Sequence, residues 1–265
     1  LSAFAQEYFN KSYSPYIICS PNQYCPVNAF PAIQNQYGYL MAGTYADTSN
    51  RYLYLIQTDI NGDTLYTKRI GSNGEVYWPG YGQSLINTTN GGYLLAGTYK
   101  KHDTLDYDAL LVRLSDTGDT LWQKTFGDSL EDQLFYGVEQ RDMYYYACGV
   151  VWYNQGYEIL LVKTDSLGNK IWEREYGGAG SQSASNIQIT MDGNILISGY
   201  SGSGNNYNAL AIKLDTAGNV LWIHSINTNG GGGVKLSKQA MEDIYISVYL
   251  VLAPYLITNN ILYKN

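Results

Sequence analysis

A self-similar segment returns along this chain, and it constrains the fold more than any other feature. Asp116-Thr-Gly118-Asp-Thr-Leu-Trp122-Gln-Lys124-Thr-Phe126-Gly127 comes back as Ser166-Leu-Gly168-Asn-Lys-Ile-Trp172-Glu-Arg174-Glu-Tyr176-Gly177. It returns again, with drift, from Thr216 to Asn227 around Gly218 and Trp222, and an earlier copy runs from Asn61 to Gly71 with Tyr66 in place of tryptophan. Gly62, Gly118, Gly168 and Gly218 are separated by 56, 50 and 50 residues, while a second marker, Gly43, Gly97, Gly149 and Gly199, is separated by 54, 52 and 50. Two independent markers holding one period, filled with short strands, are the signature of β-propeller blades.

Each period holds four strands. In the fourth copy they are expected over Ala184 to Thr190, Asn194 to Tyr200, Asn208 to Leu214 and Val220 to Ile226, with turn signals at Asp192-Gly193, Ser201 to Asn206 and Asp215 to Asn219. Hairpin connections throughout make the unit an antiparallel meander. The glycines at 62, 118, 168 and 218 suit a turn that needs positive φ, and the Asp or Ser before them suits capping of the following amides. Beyond the turn, Trp122 and Phe126 lie four apart on a strand and so share a face, as do Trp172 and Tyr176. Phe9, Tyr66, Trp122, Trp172 and Trp222, with the four turn glycines, are therefore expected to lock each blade to the next.

Composition agrees with many short strands and tight turns. The chain has 28 glycines and 28 tyrosines, only 15% charged residues, and no long amphipathic helical stretch. A net charge of -7 with scattered Lys and Arg argues against nucleic acid as a partner. No apolar run is long enough to span a bilayer as a helix.

The chain termini suggest how a ring closes. Tyr8-Phe9-Asn10-Lys11-Ser12-Tyr13 aligns with Leu121 to Phe126, so the chain begins with a blade's last strand. Strands expected at Gly233 to Met241, Asp243 to Tyr249 and Ile257 to Tyr263 lack that outer strand, which the N-terminus would supply. The expectation is one all-β domain over 6–265 with five four-stranded blades, the alternative being an open fragment of a larger propeller. Leu1-Ser-Ala3-Phe-Ala5 has the small-x-small pattern of a signal-peptide remnant, implying a secreted or cell-surface protein. Cys19 and Cys25 lie in one Pro-rich loop where a disulfide is geometrically possible. Cys148 stands where other copies have Ala or Ser and reads as a packed thiol.

The runs Gly91-Gly92-Tyr-Leu-Leu-Ala-Gly-Thr-Tyr99 and Asp108-Ala-Leu-Leu-Val-Arg-Leu114, with the Gly-x-x-x-Trp step, resemble repeats of exported bacterial β-propeller proteins. Many members of that group carry a type IX secretion sorting domain. The resemblance implies fold and export rather than a molecular activity. Gly118-x-x-x-Trp122 and Gly168-x-x-x-Trp172 also resemble the tryptophan-docking motif of quinoprotein propellers. Tyr66 and Asn227 depart from that motif, and Asp165 stands one place too close to the glycine, so no cofactor is expected.

Other chemical signals are sparse. Asp59-x-Asn61-x-Asp63 resembles the start of a calcium loop but has Ile70 at the twelfth position, so a turn is the better account. His102 and His224 occupy polar loop and outer-strand positions, which gives no metal site. Gly230 to Gly233 lacks the Lys-Ser/Thr of a phosphate loop. The leading expectation is a monomeric, non-catalytic scaffold that binds a glycan, peptide or protein through Tyr45, Tyr99 and Trp152. The alternative is a glycan-active hydrolase or lyase using carboxylates such as Asp106, Asp108 and Asp132, with a quinoprotein-like enzyme behind it.

Overall fold

The computed structural model describes residues 29–262 except 47–49, 82, 102–103, 105, 128–130, 155, 179, 204–205, 228–231, 239–243 and 253–254, with backbone alone from residue 226 onward. Residues 1–5, Phe9, Cys19, Cys25, His102 and Gly230 therefore lie outside the described residues. Every element among the described residues is a strand. The first unit holds β1 (Ala29–Asn35), β2 (Gly38–Ala46), β3 (Arg51–Thr58) and β4 (Thr64–Ile70). In the second, β5 (Glu75–Pro79) and β6 (Leu85–Asn87) share the inner position before β7 (Tyr93–Lys101), β8 (Asp108–Leu114) and β9 (Thr120–Phe126). The third is β10 (Asp132–Arg141), β11 (Tyr144–Tyr153), β12 (Gly156–Thr164) and β13 (Lys170–Tyr176). The fourth is β14 (Ser181–Ile189), β15 (Ile195–Ser203), β16 (Asn206–Leu214) and β17 (Val220–Asn227). A three-stranded sheet follows: β18 (Gly232–Lys238), β19 (Ile244–Leu252) and β20 (Tyr255–Leu262).

Neighbouring strands within each unit pair antiparallel. One parallel bridge, Arg51 to Val76, joins the first unit to the second. Side-chain layers do far more to hold the units together. One layer joins the first two units through Leu40, Leu53, Leu55, Tyr77, Leu95 and Leu110; a second joins units two and three through Leu94, Leu111, Phe126, Phe135, Tyr145 and Leu160; a third joins units three and four. Burying one such side chain contributes roughly 1.5 to 3 kcal/mol, so each layer outweighs the single bridge. Because a sheet with neighbours on both faces has no wet face, the third strands are near-continuous apolar runs, with β8 buried from Ala109 to Leu114. The outer strands β4 and β9 are mostly exposed.

The two glycine markers have different physical causes. The turn glycines Gly62, Gly118, Gly168 and Gly218 have φ of 81°, 76°, 77° and 83°, which favours glycine. In the first of these turns the Gly62 amide donates to the Asp59 carbonyl, and Asp59 Oδ1 accepts from the amides of Asn61 and Asp63. Asp165 and Asp215 do the same in their turns, so the Asp59-x-Asn61-x-Asp63 run is turn chemistry. The second marker answers to a bulge in the inner strand. The register slips between Phe135 and Gly137 in β10 and between Ala184 and Asn186 in β14. There the inner-strand backbone comes so close that a Cβ on Gly149 would meet the Leu134 carbonyl oxygen at 1.8 Å, and one on Gly199 the Ser183 oxygen at 1.7 Å. Cys148, beside Gly149, is fully buried, and that burial pushes its thiol pKa up, as expected of a packed thiol.

The outer-strand aromatics meet the next unit's turn. A Cβ on Gly118 would lie 2.9 Å from the Tyr66 hydroxyl, and one on Gly168 2.8 Å from Trp122 Cη2. Gly218 is covered instead by Arg174 and by Tyr176, whose hydroxyl donates to the Gly218 carbonyl at 2.8 Å. Trp172 packs on the layer between the third and fourth units, its ring 6.2 Å from Tyr146 of its own unit. Trp222 contacts His224 on the same outer strand, with ring centroids 4.8 Å apart.

Candidate functional site

In an antiparallel meander the starts of the first and third strands and the ends of the second and fourth come together. This places Glu75, Asp132 and Ser181, which open inner strands, at the same end of their sheets as Tyr45, Tyr99 and Trp152. That end is rich in tyrosine.

Its most organised group is Glu75, which sequence reasoning missed. One carboxylate oxygen accepts from the Tyr77 hydroxyl at 2.6 Å and the other from the Tyr99 hydroxyl at 2.9 Å. The residues converge because Glu75 and Tyr77 alternate onto one face of β5 and Tyr99 stands directly opposite Tyr77 on β7. Burial opposes ionisation of Glu75, but the hydroxyls of Tyr77 and Tyr99, with Ser72, outweigh it and hold the carboxyl below its ordinary range. Tyr99 in turn is pushed up to about 12 by burial and by its bond to Glu75. The Tyr77 and Tyr99 rings lie 5.2 Å apart, and Gln123 donates to the Tyr77 hydroxyl at 3.3 Å. Tyr77 is fully buried, which fixes this carboxylate from below.

The three aromatic candidates do not form one group. Tyr45 lies against Tyr52 and Tyr54 of its own unit, both at 6.0 Å. Tyr99 shares a face with Tyr93 and Leu95, which pack toward the first unit. Trp152 stands one place further beyond its strand's glycine than Tyr45 and Tyr99 do beyond theirs, so it shares a face with Tyr146 and Cys148, which pack toward the fourth. It is half exposed, and it stacks on Tyr157 at 5.9 Å with an interplanar angle of 26°.

Among the carboxylates proposed from sequence, Asp132 Oδ1 accepts from the Tyr107 amide at 2.9 Å, while the Tyr107 carbonyl accepts from the Gln133 amide at 2.7 Å. This two-way clasp ties the loop before β8 to the start of the next inner strand. Asp108 packs over the strand-end Gly127, where a Cβ would meet its Oδ1 at 2.1 Å. Asp106 lies in the loop leading into β8. Among the described residues no group of three or more His, Cys, Asp or Glu could hold a metal ion. Two surface clefts, of about 610 Å³ beside Arg174 and Gly218 and about 450 Å³ beside Asn87 and Asp116, involve turns at the opposite end of the sheets.

No protein-family model matches the sequence, and no curated protein does. Solved structures do. A mutant GH32 beta-fructofuranosidase of Bombyx mori in complex with sucrose matches with a TM-score of 0.50 and 12% identity over 87% of this chain and 57% of that one. An endo-arabinase from Bacteroides thetaiotaomicron matches at 0.47 and 11% over 91% and 95%, and an engineered GH43 glycoside hydrolase at 0.42 and 11% over 88% and 54%. The fold argument rests on the first of these, and the chain spans little more than half of that enzyme's length. The class defined is an all-β propeller protein. The non-catalytic scaffold is withdrawn as leading expectation, since the structure that carries the fold argument is that of a glycoside hydrolase. No pair of carboxylates stands at a telling spacing in the sequence, and the setting of Glu75 is assembled across strands. No helix among the described residues is long and apolar enough to cross a membrane.

Proposed function

We propose that this chain is a glycan-active hydrolase of five blades, its fifth sheet completed by the N-terminal strand around Phe9. The observation that carries the activity is the gathering, at one end of the sheets, of aromatic side chains around a carboxylate held ionised. Glu75, oriented by two tyrosine hydroxyls, serves as base or nucleophile at the anomeric centre. Asp132, which opens the next inner strand, is the companion carboxyl: protonated, it gives its proton to the leaving glycosidic oxygen as the anomeric bond breaks, and the attacking water's proton restores it. The glycoside hydrolase neighbours support the substrate class. The signal-like Leu1 to Ala5 segment and the resemblance to exported propellers support secretion, the compartment where a polymeric glycan is met.

The test is release of reducing sugar from a panel of plant and microbial polysaccharides by the purified protein. Wild type is expected to act on at least one. Glu75→Gln is expected to lower kcat about 10²-fold or more while the folded spectrum is kept. A wild type inert on the whole panel, or a fully active Glu75→Gln, removes this function.

A further inference from the structure

A run of four rings begins at Trp152 and crosses two blades. Tyr157 stacks on it, Tyr200 of the next blade meets Tyr157 edge-on at 6.1 Å and 82°, and Tyr207 meets Tyr200 at 5.4 Å and 89°. The repeat itself shows that the fold does not require this run. At the position of Trp152 the first, second and fourth units carry Ala46, Lys100 and Gly202, and at that of Tyr200 the first three carry Thr44, Thr98 and Val150. An aromatic side chain that the architecture does not require, and that leaves half of a tryptophan in water, is surface available for a ligand.

We propose that the run Trp152, Tyr157, Tyr200 and Tyr207 is a binding platform for a neutral glycan chain, holding sugar units away from the bond that is cleaved. This rests on the hydrolase reading above and adds the subsite and the charge class of its substrate. Sugar rings present axial C–H groups that pack on an aromatic face and hydroxyls that both donate and accept, and tyrosine offers the complement of each. The platform is preorganised by ring packing, Tyr157 against Trp152 and Tyr200 between Tyr157 and Tyr207, so little side-chain freedom is lost on binding. The electrostatics select neutrality. The chain carries a net charge of -7, and on the opposite face of the same strand end the Tyr153 hydroxyl bonds to the Glu175 carboxylate, with Glu131 and Glu158 adding to the negative field, so this rim of the sheet disfavours uronate or sulfated chains.

The test uses the full chain. Calorimetry with Glu75→Gln measures binding of xylohexaose, arabinohexaose, a fructan hexamer and cellohexaose, with hexagalacturonate as the charged probe, and steady-state kinetics follow the same sugars in the Glu75 form. Trp152→Ala is expected to weaken binding of the preferred neutral hexamer, and to raise its KM, about tenfold or more. Trp152→Phe keeps a stacking face and is expected to restore most of the loss. Met143→Ala, exposed on a turn at the far end, serves as control. Affinity within twofold of wild type for Trp152→Ala overturns the platform, and so does hexagalacturonate binding as tightly as the best neutral hexamer. Trp152-dependent binding without turnover of any sugar keeps the platform and removes the hydrolase.

Discussion

At the scale of single residues, two kinds of hydrogen bond set what a carboxylate does here. In the turns, Asp165 is held below the ordinary value of 3.8 by the side chain and amide of Asn169, and Asp215 by the amide and side chain of Asn219. Asp192 is held lower still, by the Lys213 ammonium at 2.6 Å and by Thr190. A carboxyl depressed in the folded state contributes stability above its unfolded pKa and loses it as pH falls through the folded one. Melting temperature is therefore expected to drop below about pH 4, and less steeply in Asp165→Asn/Asp215→Asn; equal slopes in a pH series of thermal melts would count against this account. Glu75 obeys the same physics at the proposed site. Its depressed pKa puts the acidic limb of kcat/KM below the ordinary 4.5, and Tyr99→Phe, which removes a bond to the charged form, is expected to move that limb upward. Gly168 shows what a turn residue must supply. Gly168→Ala forces a side chain into φ 77° and against Trp122, costing at least ~1–2 kcal/mol, whereas Gly178→Ala enters open space and is expected to be neutral in urea unfolding.

At the scale of elements, the repeat specified strands well. The four strands expected in the fourth period match β14 to β17 to within a few residues, and the three expected after Gly233 match β18 to β20. Alternation, tight turns and the 50-residue step are local properties, which is why the sequence displays them. The inner strand of the second unit was less legible. Gly80 to Ser84 interrupt it, with Ser84 Oγ donating back to the Gly80 carbonyl, and the strand splits into β5 and β6. Glu75 belongs to that strand, and its meaning depends on Tyr99, 24 residues away, which no spacing rule connects to it. The outer strand carries a further prediction. Trp122 is only half-buried against its layer and 6.3 Å from Tyr145, so Trp122→Ala is expected to cost less than the ~3–5 kcal/mol of a fully buried tryptophan, in chemical unfolding compared with wild type.

At the scale of the whole molecule, the sheets are joined by side-chain layers rather than by one continuous ladder, and among the described residues no strand pairing links β20 back to the first unit. If the segment around Phe9 completes the fifth blade as proposed, deleting residues 1–13 leaves an outer edge unpaired. The truncated chain is then expected to melt at a lower temperature and to associate in light scattering, and an unchanged melt would argue against closure by that segment. The sequence by itself determined the all-β architecture and most strand and turn positions. Those follow from backbone sterics and from a pattern written once per blade. The tertiary structure alone decided which side chains meet at the end of the sheets. It put Glu75 between two tyrosines, turned Trp152 away from the face that Tyr99 shares, and ran an aromatic surface from one blade to the next. Such contacts depend on registers and bulges that join distant residues, and a one-residue change of place reverses the face a side chain takes.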